Sequence, residues 1–159
     1  MMGITVVAVL ALCACDASRK SASDGKLSIL TTTGMIEDAV KNIVKDSAKV
    51  VSLMGPGVDP HLYKASQGDL KKFQEAEIIF YNGLHLEGKM VDILKKVSRT
   101  KPVFAVADGI PADRLLSNEQ FENAPDPHIW FDVSLWKLAV TYIKEKLKES
   151  DPGRAEFYE

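Results

Sequence analysis

The sequence predicts an α/β fold with a doubly wound, mainly parallel sheet of four strands flanked by helices. From residue 26 onward, short apolar and β-branched runs alternate with segments in which apolar residues recur at helical spacing. One of these runs, residues 77–81, is almost continuously apolar, as a strand buried on both faces of a parallel sheet is. Strands that alternate with helices of this kind are typical of βαβ units.

The first two strands enclose the first helix. Residues 27–32 are β-branched and apolar and predict a strand, which Gly34 ends. Residues 49–54 predict the second strand, which stops at the Gly-Pro-Gly of residues 55–57. Apolar side chains at helical spacing between the two strands predict a helix: Met35, Ile36, Ala39, Val40, Ile43 and Val44.

The next two strands follow the same scheme. A loop runs to Gly68, and residues 69–76 predict a short helix before the third strand at 77–81. Asn82-Gly83 turns the chain. The helix that follows carries its apolar residues at Met90, Ile93, Leu94 and Val97. Residues 102–106 predict the fourth strand.

A polar stretch over residues 108–125 leads to the last helix. Asp132 or Ser134 is its predicted N-cap, because both side chains can accept a hydrogen bond from the first turn. The apolar face of this helix carries Leu135, Leu138, Ala139, Tyr142, Ile143 and Leu147. Trp130 and Phe131, just before it, are predicted to lie in the core, and Trp130 could also shield a nearby polar site from water.

The start of the chain differs from the rest. Residues 1–15 carry no charge and are apolar over a length typical of a signal peptide and too short to span a bilayer. Leu-Cys-Ala-Cys, ending at Cys15, resembles a bacterial lipobox, although the expected basic residues are missing before it. We therefore predict a lipoprotein signal peptide over 1–15, lipidation of Cys15 and a flexible tether over 16–25. The alternative is that the apolar segment is the first core element.

The charge balance excludes nucleic acid as an expected partner. The chain has 159 residues with a formal net charge of −2, and its basic residues form only short lysine pairs on helical patterns. The length suits one domain.

Asp-Pro-His occurs twice, at residues 59–61 and 126–128, each time after an apolar, strand-like run. Proline restricts its own φ and the residue before it, so the backbone is stiff just before each imidazole. Ligands of doubly wound sheets bind beyond the carboxyl ends of the strands. We predict that His61 and His128 reach this edge together and bind a divalent metal ion. Imidazole with carboxylate suits Zn²⁺, with Mn²⁺ and Fe²⁺ left open.

Four neighbouring residues have open roles. Asp59 and Asp126 could bind the metal directly, but we expect them to hold their loops by Asx-turn hydrogen bonds or to orient an imidazole. His85 follows the third strand and is either a further ligand or a packed loop residue. Glu87 could be a ligand or an acid at a helix N-terminus.

Enzymatic activity is not expected. The sequence contains no Gly-x-Gly-x-x-Gly, Walker, Gly-x-Ser-x-Gly or His-Glu-x-x-His motif. Two alternatives to a transport function stay open. A hydrolytic zinc enzyme would use the two histidines with His85 or Glu87, and it would also need a general base beside an open coordination position. A surface-anchored interaction or adhesion lipoprotein would retain only a vestigial metal site.

Three motifs in order carry a resemblance: residues 57–63, 81–87 and 126–132, preceded by the lipobox-like Cys15. Together they resemble the zinc- and manganese-binding receptors of bacterial ABC transporters, cluster A-I or family 9 of the periplasmic solute-binding proteins, with TroA-type receptors nearest. The resemblance implies an extracytoplasmic, membrane-anchored lipoprotein that delivers Zn²⁺ or Mn²⁺ to a permease in the cytoplasmic membrane. It implies two α/β lobes joined by a long helix, with His61 and His128 matching the two ligands of the N-terminal lobe.

The same resemblance places a third ligand, His or Glu, and a fourth, Asp, in a C-terminal lobe that this sequence does not contain. We expect residues 26–150 to form the N-terminal metal-binding lobe and residues 151–159 to begin the interlobe helix. With two imidazoles alone, we expect metal binding to be weak, because each ligand contributes several of the ~10–16 kcal/mol typical of a full zinc site.

Overall fold

The main sheet is fully parallel. The computed structural model describes residues 25–118 and 124–159. The strands of the sheet are β1 (Leu27–Thr31), β2 (Ala48–Ser52), β3 (Ile78–Tyr81) and β4 (Val103–Ala105). They lie in the order β2-β1-β3-β4, so the chain moves outward from β1 to β2 and then crosses back to β3. This confirms the predicted doubly wound α/β fold, with its switch point between β1 and β3.

Helices cover both faces of the sheet. They are α1 (Gly34–Val44), α2 (Gln67–Glu75), α3 (Val91–Val97) and α4 (Val133–Ser150). One core contains the buried faces of α1 and α4 with Ile29 and Phe80 of the sheet. The other contains Phe73 of α2 and Leu94 of α3 with strand residues of the opposite face. Successive strand residues therefore enter different cores, which explains the uninterrupted apolar runs.

Most differences from the predicted boundaries occur where hydrogen bonding decides the end of an element. Helix α2 begins at Gln67, before the predicted range of 69–76, because the Ser66 hydroxyl accepts from the Asp69 amide in a capping box. Strand β4 ends at Ala105, one residue before the end of the predicted range 102–106, because Val106 begins a 3-10 helix that runs to Gly109. Helix α4 begins after Asp132, whose carboxylate accepts from the amides of Ser134 and Leu135 and confirms one of the two predicted caps.

The connection between β4 and α4 is more structured than predicted. It contains 3-10 helices at Val106–Gly109 and Ala112–Arg114 and a short antiparallel pair, β5 (Ser117–Asn118) with β6 (Ala124–Pro125). The second Asp-Pro-His therefore follows the exposed, two-residue strand β6 and not an apolar strand of the main sheet, so the prediction that both motifs follow apolar, strand-like runs was wrong for this one. Strands of two residues carry no periodic signal from which they could be predicted.

The described C-terminal residues fold back onto the lobe. After α4, a 3-10 helix covers Pro152–Tyr158, and the Tyr158 side chain is buried in the core that α1 and α4 share. The Asp151 carboxylate accepts from the Tyr158 hydroxyl at 2.6 Å and from Arg154 Nη1 at 2.8 Å. Across residues 25–118 and 124–159, we find no helix with the length and apolar character needed to cross a membrane. Cys15 lies outside the described residues.

Asp69 ties the start of α2 to the loop before it. Its carboxylate accepts from the Ser66 amide at 2.8 Å, the Ser66 hydroxyl at 2.6 Å and the Tyr63 hydroxyl at 2.7 Å, and it pairs with Lys72 at 3.0 Å. Burial acts to raise the pKa of Asp69, but the hydrogen bonds from Ser66 and Tyr63 outweigh it, so the pKa is lowered.

We expect Asp69→Asn to reduce the free energy of unfolding by about 2 kcal/mol at pH 7, because the lost interactions involve a charged acceptor. The pKa of Asp69 is lower in the folded state than its unfolded value of about 3.9, so this stabilisation is fully present above about pH 5 and is lost as the pH falls through 4 and below. Urea unfolding at pH 7, 5 and 3 should show the difference between the two proteins shrinking with acid. A difference independent of pH would contradict this assignment, and Asp38→Asn on the exposed face of α1 is the control.

Candidate metal centre

The structure brings the two Asp-Pro-His histidines together. His61 Nε2 lies 3.3 Å from His128 Nε2, although the residues are 67 positions apart in the sequence. The ring centroids are 5.3 Å apart and the rings are tilted by 53°. His61 is exposed and the His128 side chain is 40% exposed, so the pair is open to solvent.

The first histidine is presented by the loop between β2 and α2. The Asp59 carboxylate accepts from the His61 backbone amide at 2.9 Å, which is an Asx turn across the proline. Two residues after His61, the Tyr63 hydroxyl donates to Asp69 at 2.7 Å and fastens the loop to α2. Asp59 therefore acts on the backbone of His61, and no contact with its ring is seen.

The second histidine is held by its aspartate at two atoms. Asp126 Oδ1 accepts from the His128 amide at 2.9 Å and lies 2.6 Å from the ring nitrogen Nδ1. These two contacts with His128 lower the pKa of Asp126, so the carboxylate is ionised at neutral pH. An ionised partner at Nδ1 places the proton of a neutral His128 there and leaves the Nε2 lone pair directed toward His61.

Glu87 lies at the start of the 3-10 helix Gly88–Met90, as the helix-terminus alternative predicts, but its side chain makes no cap hydrogen bond there. The side chain is only 2% exposed. Its Oε1 accepts from the Thr32 hydroxyl at 2.6 Å and the Asn82 amide at 2.7 Å, and its Oε2 accepts from the Gly83 amide at 3.2 Å. Burial raises the pKa of Glu87, while these hydrogen bonds act in the opposite direction. The carboxylate is committed to protein donors, and it joins the carboxyl ends of β1 and β3.

His85 is not brought into the pair as a third ligand. In residues 25–118 and 124–159, no group of three or more His, Cys, Asp or Glu side chains is placed to hold a metal ion. His85 is exposed and ends a turn in which three successive residues have positive φ: Gly83 at 86°, Leu84 at 51° and His85 at 62°. This conformation is uncommon for residues other than glycine.

Aromatic side chains lie beside His128. The Trp130 ring is edge-on to the imidazole, with centroids 5.3 Å apart, and is partly buried. Phe131 was predicted to be in the core but is 80% exposed, and its ring stacks at 6.4 Å from that of His128. The prediction was wrong because Ile129–Phe131 forms a 3-10 helix, which turns Ile129 into the core instead.

The spacing of the two nitrogens suits a shared cation. A tetrahedral Zn²⁺ with Zn–N bonds of about 2.0–2.1 Å separates two of its nitrogen ligands by about 3.3–3.4 Å. The observed separation of 3.3 Å equals one edge of such a tetrahedron. By this distance the two imidazoles could fill two coordination positions of one ion, and both side chains are at least partly open to solvent.

Known proteins resemble this chain over nearly its whole length. The family described as "ZnuA: Zinc-uptake complex component A periplasmic" matches residues 29–159. The manganese-binding lipoprotein MntA of Bacillus subtilis is 45% identical over 99% of this chain and 52% of its own length. The zinc-binding protein TroA of Treponema pallidum is 47% identical over 86% of this chain and 44% of its own length.

A solved structure agrees with these sequence relationships. The periplasmic zinc-binding protein TroA from Treponema pallidum superposes with a TM-score of 0.80 and 46% sequence identity, over 84% of this chain and 48% of that one. The metal ABC transporter substrate-binding lipoprotein FimA of Streptococcus parasanguinis is 33% identical over 100% of this chain and 53% of its own. The chain thus spans about half the length of the curated relatives it matches, and these relatives are named as binding proteins rather than enzymes.

Proposed function

The chain belongs to the family of periplasmic zinc-uptake components, and from this premise we propose that its His61–His128 pair captures a divalent metal ion, Zn²⁺ or Mn²⁺, for an ABC importer. The observation that carries the proposal is the 3.3 Å separation of the two Nε2 atoms. This separation is that of two nitrogen ligands of one tetrahedral ion, and without an ion it lets one ring donate a hydrogen bond to the other.

Three further features support metal capture. Each histidine has its backbone amide bonded to the aspartate two positions earlier, so both loops are stiff before an ion arrives. Asp126 directs the His128 lone pair toward the partner ring, as carboxylates behind metal-binding imidazoles do. Imidazole is a good ligand for Zn²⁺ and acceptable to Mn²⁺, and relatives are named for each of these metals.

We further propose the domain organisation that the sequence suggests. Residues 26–150 are the metal-binding lobe, residues 1–15 a lipoprotein signal peptide and residues 16–25 a tether. Residues 151–159, in which Pro152–Tyr158 forms a 3-10 helix packed on the lobe, are the start of the interlobe helix. Lipidation of Cys15 would anchor the protein outside the cytoplasmic membrane, beside the permease that receives the metal. Relatives named as lipoproteins support this arrangement, and the third and fourth ligands would come from the second lobe.

A calorimetric titration of this 159-residue chain tests the metal proposal. Two of four ligands should supply about half of the ~10–16 kcal/mol of a complete zinc site, which corresponds to a Kd of roughly 1 μM to 0.2 mM. We expect one Zn²⁺ per chain in this range and no response to Ca²⁺, which prefers oxygen ligands. Absence of Zn²⁺ binding at millimolar concentration would refute the proposal, and sub-micromolar binding by a monomer would refute a site of two ligands.

A further inference from the structure

We infer that Asn82 is the residue that positions His128 against His61, and that the buried Glu87 carboxylate holds Asn82 in place for this task. The inference rests on the proposed metal-binding function and deepens it. Neither residue touches the two imidazoles, so each would act through the loop that carries His128. We refer to Thr32, Asn82, Gly83 and Glu87 as the brace.

The Glu87 carboxylate is the centre of the brace. It accepts hydrogen bonds from the hydroxyl of Thr32, which follows β1, and from the backbone amides of Asn82 and Gly83, which follow β3. A buried carboxylate needs such donors, because an unpaired charge in the interior is very unfavourable. The requirement fixes the carboxyl ends of the two central strands relative to each other, directly at the switch point of the sheet.

The Asn82 side chain links the brace to the loop that holds His128. Its Nδ2 donates to the carbonyl oxygen of Pro127 at 2.9 Å, over 45 positions in the sequence, and to that of Gly83 at 3.2 Å. Asn82 is 1% exposed, so water does not compete readily for these contacts. Pro127 immediately precedes His128, and the orientation of its carbonyl sets the peptide plane from which the imidazole projects.

The turn that follows Asn82 serves the same arrangement. Gly83, Leu84 and His85 have φ values of 86°, 51° and 62°, and the Leu86 amide donates to the Gly83 carbonyl at 3.0 Å. This turn brings the Glu87 carboxylate back to the amides of Asn82 and Gly83. Two consecutive non-glycine residues with positive φ are unfavourable and persist only where the surroundings require them. The requirement here is the return of Glu87 into the brace.

The precision needed at the site explains why such a brace matters. A functional constellation must be held within about 0.5 Å of its productive geometry. The second Asp-Pro-His follows only the two-residue strand β6 and has no main-sheet strand of its own. Apart from the Asn82 amide, the backbone around His128 is held by bonds within the motif and the turn after it, and by the Asp126 amide, which donates to the Leu116 carbonyl at 2.7 Å. Of these bonds, only the one from Asn82 joins the motif to the main sheet.

The test replaces Asn82 with alanine in the full chain and uses two readouts. Calorimetry with Zn²⁺ should show affinity at least tenfold weaker, which is the usual effect of removing a residue that orients a metal ligand. Nuclear Overhauser contacts between the two imidazole rings, measured without metal, should be present in the unsubstituted chain and lost in the variant. Asn42→Ala is the matched control, because the exposed Asn42 amide only donates to Asp38 within α1, and it should change neither readout.

A second pair of variants keeps the inference decidable if Asn82→Ala does not fold. Thr32→Val preserves shape and removes one donor to Glu87, whereas Thr31→Val makes the same change at a buried hydroxyl that bonds only the Thr33 carbonyl. We expect the ring contacts and Zn²⁺ affinity to fall for Thr32→Val and not for Thr31→Val. Equal behaviour of this pair, or Zn²⁺ affinity within twofold and intact ring contacts in folded Asn82→Ala, would overturn the inference. If the unsubstituted chain fails to bind Zn²⁺, the proposed function fails and the ring contacts alone decide the role of the brace.

Discussion

Replacing His128 with alanine is expected to weaken Zn²⁺ binding by about a hundredfold, to a Kd of roughly 0.1 mM or weaker. With two ligands supplying about half of a full site, each imidazole accounts for several kcal/mol of the binding free energy, and every 1.4 kcal/mol changes Kd tenfold. His61→Ala should have an effect of the same size, because the two nitrogens occupy equivalent positions 3.3 Å apart. Because both rings are at least partly exposed, neither substitution should lower the thermal unfolding temperature appreciably.

His85→Ala provides the matched control for these variants. It removes the third histidine of the chain, which is also exposed and also lies in a loop after a strand. We expect Zn²⁺ affinity to stay within twofold of that of the unsubstituted chain. A loss comparable to that of His128→Ala, with the contacts between the His61 and His128 rings intact, would make His85 a ligand and contradict the two-histidine site. Unchanged binding in His128→Ala would contradict the site as well.

Gly109→Ala is expected to be among the most destabilising single substitutions in the lobe, at about 3 kcal/mol. A Cβ at this position would stand 2.4 Å from the Tyr142 Cβ and 2.9 Å from its Cγ, so the segment Val106–Gly109 and helix α4 would have to move apart. Overpacking of this kind usually costs about 1–3 kcal/mol and occasionally more. The free energy of unfolding in urea measures the effect directly.

Two further variants serve as controls for Gly109→Ala. Tyr142→Ala should not rescue the variant, because the contact at 2.4 Å is made by the Cβ that alanine retains. Gly34→Ala, at the first position of α1 with nothing within 4 Å of the added Cβ, should be neutral or slightly stabilising. Recovery of stability in the double variant would show that ring packing, and not the approach of the two backbones, limits this position.

The sheet could be predicted from the sequence because periodicity reports burial directly. Residues 77–81 appear as an apolar run because Ile79 enters one core while its neighbours Ile78 and Phe80 enter the other. The same argument could not find β5 and β6, which are too short to have a period. The same argument wrongly placed Phe131 in the core. Nothing in the sequence shows that the residues before α4 form a 3-10 helix, which leaves the Phe131 side chain exposed.

The candidate site was accessible from the sequence for a different reason. A repeated Asp-Pro-His indicates two stiff loops even when the distance between them in the fold is unknown. The predicted parallel topology then suggests that both loops lie at the same edge of the sheet. The brace was missed because each of its members has an ordinary local explanation. Asn82-Gly83 indicates a turn, Glu87 indicates a helix start and Thr32 indicates the end of a strand. Only the hydrogen bonds from Thr32 and Asn82 to Glu87, and from Asn82 to Pro127, reveal their common role.

The uniform direction of the four main strands gives the lobe two unlike poles. Gly25, where the described chain enters β1, lies at the amino pole, and the Arg154 guanidinium contacts its carbonyl oxygen there at 3.4 Å. The two histidines lie at the carboxyl pole. The two poles are separated by the five residues of β1, or about 17 Å of strand. The point at which the described chain enters the sheet and the two histidines therefore lie at opposite ends of the lobe, and the exposed imidazole of His61 faces away from the chain entry.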